Sequence, residues 1–402
     1  MGPITEANSF YSSLYEMFTG LKIAGVYIIP EWLAYFLAGF LMVFAIINTV
    51  VIITTVATWA ERRLIGRFHN RLGPNRWGPF GLFTPVADAI KLLGKEDTRP
   101  EGVDSWVFNM APIVFIVPTL LVFAVIPVGE NTYVANLNIG LLFIVAVTTI
   151  GTLGMFMGGW ASGNRFSLFG AMRAVASLIS YEVPMVLSIV GIVLLTGSLS
   201  MVDVVEAQTI PFIFLQPLGF FIFFVAASAE MNRSPFDVVE AESEIIAGYH
   251  TEYSGMKWGT FQLGEFIAPF GVSAILTTMF LKGWEGPVLP SHLWFFIKVF
   301  FFWFILLWIR ATLPRLRIDQ IMAFAWKILF PLSVLNLFVT ALEVLIWENP
   351  TITQLWTMAA INWAIALGSL VLLSRAGRSK ISTRAVRFGR SEIVHDKSGK
   401  VN

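Results

Sequence analysis

Six carboxylates fall between residues 230 and 252: Glu230, Asp237, Glu240, Glu242, Glu244 and Glu252. Carboxyl groups crowded this closely raise one another's pKa, which suits them to hold and release protons near neutrality. With residues 237–247 read as a helix, Asp237, Glu240 and Glu244 share one face at i, i+3 and i+7. A solvated acidic loop is the plainer reading of such a run. Against it stand Glu182 in SYEVP and Glu265 in LGEFIAP, each embedded in an apolar stretch about 10 Å from its basic end. A carboxylate at that depth costs on the order of 3 kcal/mol or more unless it is protonated, paired or facing water. Together with the loop acids, these two are expected to line a proton-accessible funnel. Lys298 and Glu343 lie at similar depth from the opposite side and are expected to form a structural ion pair.

The cationic and aromatic residues gather on a second set of connections. Glu61, Arg62, Arg63, Arg67 and Arg71 precede two Gly-Pro turns, Gly73-Pro74 and Gly78-Pro79. A helix is expected from about Pro79 to Leu93, with Phe80, Phe83, Val86, Ala87, Ile90 and Leu93 on one side and Asp88, Lys91 and Lys95 away from them. That pattern fits an amphipathic helix in the plane of a membrane surface. Such a helix either floats at the headgroups or frames a lateral doorway, through which a long-tailed, lipid-soluble substrate reaches headgroup level without crossing open water. Arg310, Arg315 and Arg317 come near the first arginine set if the basic connections converge, and arginine forks bind carboxylate or carbonyl groups strongly. His69 and His250 stand alone on loops without metal-ligand spacing, so no metal site is expected.

The elements that must position these groups are membrane helices. Of 402 residues, 56% are hydrophobic and only 13% charged, whereas a soluble domain carries about 25% charged residues. Apolar stretches recur at about residues 32–58, 106–128, 137–159, 174–197, 210–229, 258–281, 293–310, 328–347 and 353–373, each about long enough to cross a core of roughly 30 Å. The expected fold is therefore an all-α polytopic transmembrane bundle of about nine spans plus the interfacial helix. It divides into an outer N-terminal segment (1–31), the helical domain with its loops (32–374) and a basic tail (375–402). Arginine and lysine crowd every second connection, so the N-terminus is expected outside and the C-terminus inside. No signal-peptide pattern opens the chain. A net charge of +1 gives no reason to expect a nucleic-acid partner. With no cysteine, the chain cannot hold an iron–sulfur cluster by thiolates.

Four long motifs, ERRLIGRFHNRLGPNRWGPFGLFTPVADAIKLLGKE, GWASGNRFSLFGAMRAVASLISYEV, EMNRSPFDVVEAESEIIAGYHTEYSGMKW and IRATLPRLRIDQIMAFAWK, occur in order across about residues 55–335. They resemble the signature loops of the H subunit of NADH-quinone oxidoreductase, the counterpart of the first membrane subunit of mitochondrial complex I. The resemblance implies a subunit wedged between the membrane and peripheral arms, closing a quinone chamber from below and linking quinone reduction to proton translocation. Quinone is the implied substrate. Iron–sulfur clusters and flavin would sit only on partner subunits, so the chain alone would be inactive, and its place would be a prokaryotic cytoplasmic membrane or an organelle inner membrane.

On that pattern Glu61, Arg62, Arg71 and Arg310 face the quinone, with Arg315 in the same set and Phe68, Trp77 and Phe80 along the way in. The implied proton pathway comprises Asp88, Glu182, Glu230, Asp237, Glu240, Glu242, Glu244, Glu252 and Glu265. Phe266 stands where many members of the family have tyrosine, and Ser177, Thr84 and Ile318 also depart from the usual residues. Two alternatives remain: the homologous subunit of a membrane-bound hydrogenase or a ferredoxin- or deazaflavin-linked complex, and a stand-alone ion transporter. The motifs distinguish neither ubiquinone from menaquinone nor one electron donor from another.

Overall fold

A backbone placed in hydrocarbon must satisfy its own hydrogen bonds, and long apolar runs do so as helices. The computed structural model describes residues 9–19, 22–23, 26–27, 30–130, 132–239, 246–348 and 350–391. Among these, eight helices are long and apolar enough to cross a membrane, so the fold is an all-α polytopic bundle. A short helix α1 (Ser9–Thr19) and a two-residue pairing, β1 (Lys22–Ile23) with β2 (Val26–Tyr27), precede it.

The first long helix, α2 (Glu31–Phe68), has 38 residues and is about 57 Å long, well beyond a core of roughly 30 Å. Its last turns therefore carry Glu61 and the following arginines past the apolar layer. Next come the amphipathic helix α3 (Thr84–Gly94), then α4 (Ser105–Leu121), α5 (Gly140–Ala161) and α6 (Arg165–Thr196). Helix α3 ends where the apolar spacing put it but starts later, at Thr84 rather than Pro79, because Pro79–Gly81 forms a separate tight turn with Phe80 in left-handed backbone. Two short helices, α7 (Met201–Glu206) and α8 (Phe212–Leu215), lead into α9 (Pro217–Glu230). The bundle is completed by α10 (Gly255–Phe280), α11 (Ser291–Thr312), α12 (Ile318–Phe324), α13 (Phe330–Ile346) and α14 (Ile352–Ser391), with a π-turn at Ala325–Leu329 between α12 and α13. Helix α14 continues through residue 374, where the apolar run ends.

The fifth apolar run, read as one continuous stretch over about 210–229, is broken. Gln216 adopts φ −128° and ψ 64° between α8 and α9, and Pro217, whose fixed φ and missing N–H suit a first helical position, restarts the helix. At 14 residues, α9 is about 21 Å long.

Connections alternate between two ends of the bundle. At the basic end Asp104 N donates to Ala161 O (3.3 Å) and Leu316 N to Pro235 O (3.0 Å). At the opposite end Leu141 N donates to Leu199 O (2.9 Å), and Lys282 N donates to Gln208 Oε1 (2.8 Å). The expected pairing of Lys298 with Glu343 does not form. The Lys298 ammonium donates to the carbonyls of Leu281, Gly283 and Glu285 (2.7, 2.9 and 2.7 Å) just past the C-terminus of α10, where the helix dipole favours a cation. Glu343 turns instead to Asn362 (2.8 Å).

Candidate functional site

Glu61, buried near the end of α2, is the meeting point of three basic connections. Its Oε2 accepts from Arg233 Nη1 at 3.1 Å, and its Oε1 accepts from Arg310 Nη1. The second arm of Arg233 donates to the main-chain carbonyl of Glu265 (3.3 Å). That carbonyl is available because Pro269, four residues on inside α10, has no N–H to claim it. The same guanidinium lies 4.9 Å over the ring of Phe266, so the position with phenylalanine in place of tyrosine offers a π-face to the cation. Arg233 thus joins the Glu61 node to helix α10 through separate polar and aromatic contacts.

Outside this node, α3 and the turn before it are pinned to α2. Arg62 pairs with Asp88 on α3 (2.6 Å), and Lys91 shares the same carboxylate (3.3 Å). Burial works against ionisation of Asp88, yet these two cations hold its carboxyl below the usual range. Trp59 Nε1 and Arg63 Nη1 both donate to Phe80 O at 3.0 Å, and the Arg63 guanidinium stacks 4.8 Å over the Phe80 ring. Phe80 needs that support, since its φ is +56° between Gly78 and Gly81 at +73° and +79°, and left-handed backbone is uncommon for a bulky residue. A Cβ on Gly78 would sit 2.2 Å from the Phe83 ring, and one on Gly81 2.5 Å from Pro74 O, so both glycines are required by space as well as by φ. Phe68, Trp77 and Phe80 are exposed by 42%, 67% and 65%, leaving a greasy rim beside charged groups.

Behind Arg233 a cavity of about 110 Å³ opens between α4, α5, α6, α9 and α10. Glu230 and Glu265 line it with Thr148, Thr152 and Asn232, and the rest of its wall is largely apolar. Tyr249 OH donates to Glu265 Oε1 (3.0 Å). Successive threonines of α5 serve two acids: Thr148 hydrogen-bonds Glu230, and Thr149 Oγ1 donates to Glu182 Oε1. Glu182 and Glu230 lie within electrostatic reach of each other. Each of these three carboxyls has its own hydroxyl partner, Thr149 for Glu182, Thr148 for Glu230 and Tyr249 for Glu265.

The structure distributes the remaining sequence-derived candidates unevenly. Arg71 and Arg315 are exposed, and among the described residues the ion pairs of Glu61 are with Arg233 and Arg310 instead. Asp88 pairs with Arg62 and Lys91 and does not line the acid-bearing cavity. Glu252 accepts from Asn164 Nδ2 (2.6 Å), tying the second and third basic connections together. Asp237 is half-buried in irregular backbone, so the helix expected over 237–247 does not include it; Glu240, Glu242 and Glu244 lie outside the described residues. Arg233, Tyr249, Thr148 and Thr149 were not singled out as functional from sequence, although Arg233 is the lone cation within the acidic run.

The basic end is locked further by Lys257 and Arg99 on Asp97 (2.7 and 3.0 Å). Lys257 first, then Arg99, against an opposing effect of burial, hold the Asp97 carboxyl below its ordinary value. His250, 6% exposed beside Tyr249 and Trp258, is pushed by burial down to about 4. The unfolded chain takes up a proton near pH 6.5 that the fold refuses until about pH 4, so His250 contributes stability above about pH 6.5 that is lost as pH falls toward 4. The loss is on the order of 3 kcal/mol at its fullest. Thermal unfolding of the detergent-solubilised chain is expected to be less acid-sensitive in His250→Gln than in the natural sequence; identical acid sensitivity would refute the assignment.

Two comparisons with known proteins agree with one another. The sequence profile of the family described as NADH dehydrogenase matches residues 41–341. The H subunit of NADH-quinone oxidoreductase from Dehalococcoides mccartyi (strain CBDB1) is 55% identical over 326 residues, covering 81% of this chain and 92% of the relative. Its counterpart from Geobacillus sp. (strain WCH70) is 46% identical over 323 residues, covering 78% and 96%. The H 2 subunit of the same oxidoreductase from Geobacter sulfurreducens is 49% identical over 302 residues, covering 72% and 92%.

Proposed function

This chain belongs to the NADH dehydrogenase family, among the H subunits of NADH-quinone oxidoreductase, and from that premise we propose that it forms the membrane-side wall of a quinone chamber and links quinone reduction to proton translocation. The observation that carries the reading is the convergence on Glu61. One buried carboxylate gathers Arg233 and Arg310 from two other connections, on the same helix whose Trp59 and Arg63 hold Phe80 and whose Arg62 holds α3 through Asp88.

A quinone has an apolar tail and a ring bearing two carbonyls. The exposed rings of Phe68, Trp77 and Phe80 suit the tail, while the arginine forks beyond them offer donors to the carbonyls. The electron donor to the ring would be a cluster on a partner subunit, since this chain has no cysteine to hold one. Charge appearing on the ring perturbs the Glu61 node, and Arg233 transmits that change to α10, where Glu265 faces the cavity shared with Glu230. Proton transfer among Glu182, Glu230 and Glu265 then follows the electrostatic change. The basic connections face the cytoplasm in this reading, in a prokaryotic cytoplasmic membrane.

A photoreactive quinone analogue irradiated in the assembled complex tests the chamber. Label is expected on peptides spanning residues 59–93, above all at Phe68, Trp77 or Phe80, and excess natural quinone should compete it away. Competable label found only on other subunits would exclude this chain from the chamber wall.

A further inference from the structure

Helix α13 is built inside out. Its buried residues are Ser333, Asn336, Thr340 and Glu343, spaced i, i+3, i+7 and i+10 along one face, while Leu335, Phe338, Leu342 and Leu345 are exposed by 42% to 74%. A membrane helix turns polar groups inward when they have partners or a hydrated path there. The partners come from the break in the fifth apolar run. Gln216, 1% exposed between α8 and α9, donates from Nε2 to Gly191 O (3.1 Å) and to Thr340 Oγ1 (2.9 Å).

Among the described residues, two buried atoms at this place lack partners: the acceptor Gln216 Oε1 and the donor Asn336 Nδ2. A Cβ built on Gly191 would meet them at 3.2 and 3.3 Å, and one on Gly219 at 3.1 and 3.2 Å, so both amide tips converge where two helices carry no side chain. An acceptor and a donor aimed at one point fit a bound water. Broken helices at membrane depth are tolerated where they are packed in protein or line a hydrated cavity.

About 10 Å farther along α13, Glu343 is 4% exposed. Its Oε2 accepts from Asn362 Nδ2 (2.8 Å). Among the described residues its Oε1 has no partner, and no Lys, Arg or His pairs with it. Lys298 is committed to three carbonyls. A carboxylate with a single amide donor in an apolar surround is far costlier than the neutral acid.

We propose that Glu343 is a buried proton-binding site, served by a hydrated relay through Thr340 and the Gln216–Asn336 pair and separate from the cavity lined by Glu230 and Glu265. Protonation delivers one proton from the aqueous phase to a carboxylate oxygen, each relay water taking up a proton as it hands one on and so ending neutral, and release runs the same exchange in reverse. The site stands independently of the quinone reading, because its spectroscopic test requires no quinone turnover.

The test is infrared difference spectroscopy of the assembled complex, natural sequence against Glu343→Gln, near neutral pH. The C=O stretch of a protonated carboxyl group should vanish in the variant, and in the natural complex it should shift in D2O. Asn336→Leu should retain the band but slow its shift about tenfold, because the water loses its donor. If Glu343→Gln fails to assemble, an apolar carbodiimide applied to the natural complex substitutes for it: mass spectrometry should find Glu343 modified, since only the protonated acid reacts. An ionised carboxylate signature at this position, a band that never shifts in D2O, or an unmodified Glu343 would overturn the proposal.

Discussion

Glu61→Gln is expected to destabilise the solubilised chain by about 3 kcal/mol and to lower quinone reduction in the assembled complex by about tenfold or more. The reasoning begins with burial. The Glu61 side chain is 5% exposed, against 15% for Arg233 and 33% for Arg310. Removing the carboxylate leaves two guanidinium groups facing each other with little solvent, and an uncompensated buried charge is among the costliest single changes. Arg310→Met should cost less, about 1 kcal/mol, because a third-exposed arginine is partly screened by water. In the double variant Glu61→Gln, Arg310→Met much of the loss should be recovered, since one cation no longer lacks a partner. Denaturant unfolding monitors the stability arm and NADH-driven quinone reduction the functional arm; strictly additive losses would show that the pair does not act as a unit.

Glu230→Gln combined with Glu265→Gln is expected to lower the protons moved per quinone reduced by about half or more. Glutamine preserves shape and still accepts from Tyr249 and Thr148, so packing around the cavity of about 110 Å³ should survive. What it removes is the capacity to carry a proton. Quinone binding should persist because the Glu61 node lies on the other side of Arg233. Proteoliposomes reporting proton movement and quinone reduction together separate the two effects, and full pumping by the double variant would take the cavity out of the pathway.

Much of this arrangement could be read in the chain itself. Apolar periodicity located the end of α3 but not its start, since Pro79 and Phe80 fall in a turn before Thr84, and the depth of Glu182 and Glu265 inside apolar runs marked them as acids needing a partner. Contacts that join distant segments were less visible. Pro269 announces a free carbonyl at Glu265, but nothing local says that Arg233, more than thirty residues earlier, will take it. Lys298 and Glu343 illustrate the converse limit: equal depth was visible, whereas the direction each side chain faces depends on helix rotation. Gln216 and Pro217 carried a readable helix-start signal within a run whose overall hydropathy suggested an unbroken span.

The Glu61 node and the acid-lined cavity are one device only if Arg233 joins them. Arg233→Lys keeps the positive charge beside Glu61 but cannot also reach the Glu265 carbonyl with a second arm of a planar fork. The most direct measurement is the number of protons translocated per electron in proteoliposomes containing that variant. The account expects electron transfer to continue while protons per electron fall below the natural value; an unchanged ratio would contradict it.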